Sequence, residues 1–181
     1  MTELTIYETG EEIRRLQVTS APREIADSLR DIGVRYEVWG VRDHAAAETS
    51  DAAVLASYQP EIERLKAEGG YTVADIVRLQ RGTPHTGPMR AKFLSEHIHS
   101  EDEVRFFTEG AGAFYLRCEK SVFRMVCGPG DLLSVPAKTR HWFDMGPDPY
   151  FTAVRLFTNP EGWVAQFTGD GIASRIPEFE G

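Results

Sequence analysis

Three histidines and a glutamate stand at metal-ligand spacing in this chain: His97, His99 and Glu103 in the string HIHSEDE, and His141 further on. The chain has only five histidines in 181 residues, so three in one pattern carry information. Side chains alternate faces along a strand, so His97 and His99 share one face with Ile98 turned away. Glu103 keeps their parity across a bend at Ser100, Glu101 and Asp102. His141 must come from a distant strand and bring the fourth donor across a barrel or sandwich. Imidazole suits Fe, Ni, Cu and Zn, and one carboxylate hardens the set toward Fe or Ni. Four protein ligands on an octahedral ion leave two positions for a chelating substrate, unlike a closed tetrahedral structural zinc site. The pattern predicts one Fe(2+) or Ni(2+) per chain. His44 precedes an alanine run and reads as a solvated residue early in a helix. His85 lies among prolines and glycines. Neither has a partner at ligand spacing, and both are excluded from the site.

The composition is that of a globular protein, 41% hydrophobic and 27% charged. The length suits one domain whose core needs no disulfide. A net charge of −8 without a basic stripe argues against nucleic-acid binding. Met1 to Thr5 has neither the basic start nor the apolar run of a signal peptide. No apolar stretch approaches membrane-spanning length. Cys118 and Cys127 are expected on neighbouring strands of one hairpin, out of register for a disulfide, as reduced thiols of a cytoplasmic protein. No long apolar helical stripe demands a partner, so a monomer is expected.

The elements that must position the ligands fall into two parts. Residues 1–88 read as a helical and strand annex, 89–168 as a metal-binding barrel core, and 169–181 as a polar surface tail, all within one domain. Pro22 to Gly33 predicts a short helix with Ile25, Leu29 and Ile32 as its apolar stripe, Pro22 at N1 and Gly33 at C′. Val34 to Trp39 alternates like a strand. Glu61 to Ala67 reads as helix ending at Gly69 and Gly70, and Tyr71 to Leu79 as helical or mixed. Arg81 to Pro88 is a loop by its prolines and glycines. Short strands follow at Phe93–His99, Glu103–Thr108, Ala113–Cys118, Val122–Val126, Asp131–Val135, His141–Met145 and Thr152–Phe157. Such a series predicts an antiparallel sandwich or small barrel.

This half resembles the cupin superfamily. His97, His99, Glu103 and Gly110 fit the spacing of its first motif, and Gly130, Pro136 and His141 that of its second. Ala91, Lys138 and Met145 depart from it at positions that shape turns and leave the ligands intact. Closer still, Lys92 to Phe107 and Val135 to Gly146 look like the acireductone dioxygenase family, as do Gly33–Trp39, Phe151–Phe157 and Gly162–Val164. Arg42 to Glu68 matches in helical character more than in residues. The resemblance implies a mainly β, cupin-type double-stranded β-helix (jelly-roll barrel) with short flanking N-terminal helices. It implies a dioxygenase of methionine salvage acting on 1,2-dihydroxy-5-(methylthio)pent-1-en-3-one and O2. With Fe the family gives formate and 4-methylthio-2-oxobutanoate; with Ni it gives formate, carbon monoxide and 3-(methylthio)propanoate.

For such a reaction the protein must hold and orient an enediol dianion. Arg105 shares parity with Glu103 and would point into the same cavity, where its charge favours the doubly deprotonated substrate. Glu96 and Asp102 flank the ligands with opposite parity. They could orient ligand imidazoles, or lie as solvated carboxylates on an outer face. The resemblance suggests metal incorporation for Glu96 and a relay of local conformation for Asp102. Phe93, Phe107, Phe143 and Trp163 are candidates to wall a pocket for the methylthio tail, with plain core as the alternative. Arg155, alternating with apolar neighbours, is an inward charge that needs a carboxylate partner. Two other readings compete: a different cupin dioxygenase, and a non-catalytic metal-binding cupin. The intact Glu103 opposes a thiol dioxygenase, which usually lacks that ligand, and the intact ligand set opposes a sensor or storage module.

Overall fold

The computed structural model of the chain describes residues 2–42, 50–159 and 164–181. In chain order it forms β1 (Glu3–Thr9), β2 (Ile13–Thr19), α1 (Pro22–Arg30), β3 (Arg35–Val38), α2 (Asp51–Ser57), α3 (Gln59–Gly69) and β4 (Val73–Leu79). There follow α4 (Thr86–Phe93), β5 (His97–Ile98), β6 (Glu103–Gly110), β7 (Gly112–Cys118), β8 (Ser121–Cys127), β9 (Asp131–Val135), β10 (Arg140–Asp144), β11 (Phe151–Phe157), β12 (Gln166–Phe167) and a 3₁₀ turn at Gly171–Arg175. No helix among the described residues is long and apolar enough to cross a membrane.

The strands make two antiparallel sheets, one of order β12-β5-β10-β7-β8-β1-β2 and one of order β3-β9-β6-β11-β4. Leu4, Phe114, Leu116 and Met125 of the first meet Phe107, Leu133, Val135 and Ala153 of the second in the central core. Among the described residues no hydrogen-bonded strand joins the sheets into one closed barrel, so the jelly roll is built as a sandwich.

Both outer faces are covered as well. On the five-stranded sheet, Val104, Phe106, Leu132 and Val154 pack under Val54, Tyr58, Ile62 and Leu65 of the helical region. The rings of Tyr58 and Phe106 meet edge-on, 4.7 Å between centroids, a contact worth roughly 0.5–1.5 kcal/mol beyond area burial. On the seven-stranded sheet, Tyr115 and Trp142 lie under Ile172, Ile176 and Phe179. The expected surface tail is thus a packed element. Its three large apolar residues are scattered among polar ones, which hid their common inward face.

Other departures have equally local causes. Tyr71 to Leu79 is neither helical nor mixed: Val73 to Leu79 is an edge strand paired along β11. Its alternation was obscured by Asp75 and Arg78, whose partners Arg155 and Asp51 are far away in sequence. The expected strand Phe93–His99 shrinks to His97–Ile98, because Thr86–Phe93 is helix. Pro88 sits in the first turn of α4, where no N–H is needed inside the helix, so it does not break it. Strands β1 and β2 were not foreseen. Helix α1 begins at Pro22 as expected but ends at Arg30 with Asp31 as its C-cap, and Gly33 takes the left-handed turn one position beyond the C′ site. Cys118 and Cys127 are free thiols on the β7–β8 hairpin, paired with Ser121 and Gly112 and not with each other. His44 lies outside the described residues.

Gly110, which ends β6, has φ +67°, and a Cβ there would fall 1.8 Å from the Tyr150 carbonyl oxygen. That oxygen is held in place, accepting the Ala111 N–H at 3.0 Å. Gly110→Ala is therefore expected to cost about 3 kcal/mol or more in a urea unfolding curve. A loss under about 1 kcal/mol, the size of an average substitution, would show that this corner relaxes freely.

Candidate metal centre

His97 in β5 pairs directly with His141 in β10, so these two ligand candidates stand side by side on the seven-stranded sheet. The expectation that His141 crosses the sandwich is corrected: the residue that comes across is Glu103, first in β6 of the other sheet. The bend at Ser100 to Asp102 carries the chain between the sheets. Asp102 fixes that bend, accepting the Ala137 N–H at 2.9 Å and the Tyr71 hydroxyl at 3.0 Å. Lys138, at the position where the cupin motif has Gly, holds φ +65° and donates its N–H to the His99 carbonyl at 2.8 Å. A left-handed residue with a Cβ costs roughly 1–2 kcal/mol, which explains the motif's preference.

The three imidazoles converge. Ring centroids lie 4.9 Å apart for His97–His99, 4.6 Å for His97–His141 and 5.0 Å for His99–His141. One ligand nitrogen from each falls within 4.8 Å of the others. Glu103 stands against two of them, its Oε2 3.1 Å from His99 Nε2 and 3.1 Å from His141 Nε2. All four side chains are buried.

Backbone carbonyls set the ring orientation. Nδ1 faces Ser95 O at 2.7 Å in His97, Thr139 O at 2.7 Å in His141 and Val164 O at 3.2 Å in His99. A carbonyl can only accept, so each Nδ1 carries a proton and Nε2 is the nitrogen that faces the cluster. At His99 and His141 that nitrogen meets the carboxylate Oε2 of Glu103. A nitrogen and a carboxylate oxygen so close need a cation between them, a proton or a metal ion. Burial, reinforced by the other two rings, pushes the His97 imidazole down to about 4, which keeps it neutral. Burial alone would raise the Glu103 carboxyl, but Arg105 and the imidazoles outweigh it and hold it well below the usual range. The second oxygen, Oε1, is buried and ion-paired with Arg105, whose Nε lies 2.9 Å away. Three converging imidazole nitrogens and an ionised, buried carboxylate fit a divalent cation.

A cavity of about 380 Å³ opens over this cluster, within the range of small-molecule sites. His97, His99, Glu103 and Arg105 form its polar floor, with Phe93 and Phe143 in its wall. The Arg105 guanidinium lies 4.5 Å from the Phe143 ring centroid. Burial lowers Arg105 from its ordinary value, opposed by Glu103. Arg155 also lines the cavity and has the expected carboxylate partner, Asp75, at 2.6 and 2.8 Å. Phe107 does not line it: its side chain lies deeper in the sandwich core, against Phe151. Trp163 lies outside the described residues. Backbone carbonyls meet the imidazoles directly, and Glu96 is not a solvated carboxylate. It is buried beside Arg117 and Thr168. The residues that went unforeseen at the cavity are Lys92, Val164, Ala165 and Phe167. The role of Val164 is played by a backbone carbonyl and leaves no signal in residue type. His85 is exposed at the start of α4 and takes no part in the cluster.

The family model described as "ARD/ARD' family" matches residues 3–165. Acireductone dioxygenase of Hahella chejuensis is 53% identical over 180 residues, covering 99% of this chain and 97% of its own. The enzyme of that name from Pseudomonas aeruginosa is 52% identical, covering 99% of both chains. A solved acireductone dioxygenase from Bacillus anthracis, with a cadmium ion in its active centre, superposes with a TM-score of 0.78. It is 30% identical and covers 92% of this chain and 98% of its own. Matched along nearly its whole length, in sequence and in fold, the chain belongs to the acireductone dioxygenase family.

Proposed function

We propose that this chain is an acireductone dioxygenase with His97, His99, His141 and Glu103 holding one Fe(2+) or Ni(2+). The observation that carries the reading is the convergence of three imidazole nitrogens beside an ionised Glu103, beneath a cavity that also holds a buried arginine. The relatives' shared name supports acireductone and O2 as substrates, and the cadmium of the Bacillus anthracis protein supports a divalent ion.

A divalent ion held there by His97, His99, His141 and Glu103 would supply Lewis-acid stabilisation of the enediolate's oxygens. The rest falls to the protein. Neutral imidazoles, one carboxylate and one guanidinium sum to no net charge, so a divalent cation and a dianion together restore neutrality. Arg105 keeps the substrate's second proton off by placing a fixed positive charge in a buried wall. Phe93 and Phe143 give the methylthio tail an apolar surface and exclude water from the reacting carbons. Lys92 adds positive charge to the cavity lining, favouring entry of an anion.

Stripped protein reloaded separately with Fe(2+) and Ni(2+), mixed anaerobically with the acireductone and then exposed to O2, is expected to consume oxygen in both forms. Ketoacid and formate are expected from the iron form, and carbon monoxide from the nickel form. Metal-loaded protein that takes up no oxygen in either form would overturn the assignment in favour of another cupin activity.

A further inference from the structure

The three carbonyls that orient the histidines differ in origin. Ser95 and Thr139 each lie two residues before the histidine they serve, but Val164 is 65 residues from His99. The acceptor for His99 is thus only as well placed as the segment that carries it. That segment joins the sheet by β12, which pairs Gln166 with Ile98 and Phe167 with His97. Two residues of ladder are far short of a self-sustaining strand.

What holds the segment is a buried carboxylate. The Thr168 N–H donates to the Glu96 carbonyl at 3.0 Å, and the Thr168 hydroxyl donates to Glu96 Oε1 at 2.7 Å. Arg117 Nη1 reaches Glu96 Oε2 at 3.1 Å and Asp170 Oδ2 at 2.7 Å. The Glu96 side chain is fully buried. Asp170 also accepts the Ile172 N–H at 2.9 Å, which links the cluster to the packed C-terminal turn. A hollow of about 540 Å³ lies beside this cluster, walled by Glu96, Phe167 and Asp170, and shares Lys92 and Phe167 with the metal-side cavity. The segment from Val164 to Asp170 is therefore a thin wall between two spaces, held to the sheet by a two-residue ladder and by the Glu96 cluster.

We propose that Thr168 and Arg117, acting through Glu96, are positioning residues for the metal centre. They pin residues 164–168 so that the Val164 carbonyl holds His99 with its proton on Nδ1 and Nε2 toward the ion. This rests on the reading of His99 as a ligand. Loss of the hydrogen-bond partner behind a ligating histidine typically costs 10–100-fold in metal affinity. Without the pin, His99 divides between its two tautomers, and the fraction with Nε2 protonated cannot ligate.

The test compares Thr168→Val, which removes the hydroxyl at nearly constant shape, with Thr168→Ser, which keeps it, and with Arg117→Met. In the metal-free protein, imidazole ¹⁵N shifts report the His99 tautomer. In the cobalt-loaded protein, transfer of Co(2+) to excess chelator reports retention. Expected are a mixed His99 tautomer and roughly 10–100-fold faster release in Thr168→Val and Arg117→Met, with Thr168→Ser like wild type. Wild-type tautomer and release in Thr168→Val would overturn the proposal, as would a lowered Tm with both unchanged. A wild-type chain that binds no cobalt would instead defeat the ligand reading, and the metal-free tautomer measurement would still decide the role of the pin.

Discussion

His97→Ala and His141→Ala proteins are expected to fold and to purify without metal. Each removes one of three nitrogens that lie within 4.8 Å of one another, leaving two imidazoles and Glu103. Disturbing only the hydrogen bond behind a metal-bound histidine weakens affinity by roughly 10–100-fold, so deleting the ligand itself should exceed about 100-fold and defeat retention through dialysis. The fold should survive, because both histidines stand at the mouth of the sandwich while the central core is built from Phe107, Phe114, Leu116, Met125 and Leu133. His141→Ala should show the larger change in the metal-free state, since it also removes a ring from against Glu103 Oε2. Elemental analysis after dialysis against chelator, alongside thermal unfolding, separates metal loss from misfolding. A folded variant that retains one metal ion per chain would overturn the ligand assignment.

The candidate ligands were legible because metal chemistry restricts residue type, and strand parity restricts spacing. The strands from β6 to β11 were legible for a related reason. Tight turns at Gly110, Pro129 and Pro147 bound them, and their ends fall within about two residues of the sequence expectation. What was hidden depends on partners far away in the chain. β4 carries Asp75 because Arg155 lies opposite it on β11, and that pairing cannot be seen in the local pattern. The C-terminal residues Ile172, Ile176 and Phe179 acquire a common face only when Tyr115 and Trp142 supply the surface they cover. The same holds within the site. Parity correctly aligned His97 with His99 and Glu103 with Arg105, but gave no means of telling which donor crosses between sheets. The His99 acceptor is a main-chain oxygen, and Glu96 is defined by Thr168, 72 residues on.

Arg105→Met is expected to keep the metal and lose the reaction. The metal should stay because Arg105 Nε approaches Glu103 at Oε1, while Oε2 is the oxygen that faces His99 and His141. A bound cation would also compensate the carboxylate that the arginine leaves behind, so the loaded variant should be stable even if the stripped one is not. Substrate binding is the step that suffers. With Arg105 gone, the chelated dianion would carry the site to a net negative charge inside a wall of Phe114 and Phe143, whose rings now flank the guanidinium at 5.3 and 4.5 Å. A charge-stabilising donor of this kind is worth roughly 10²–10³ in rate, so kcat/KM should fall by about that factor. Arg155 cannot take over, since its guanidinium is engaged by both oxygens of Asp75. Arg105→Lys should recover only part of the loss, because an ammonium keeps the charge but not the planar stacking on Phe143. Turnover unchanged in Arg105→Met, at full metal occupancy, would show that the guanidinium serves only to neutralise Glu103 and that the dianion is stabilised elsewhere.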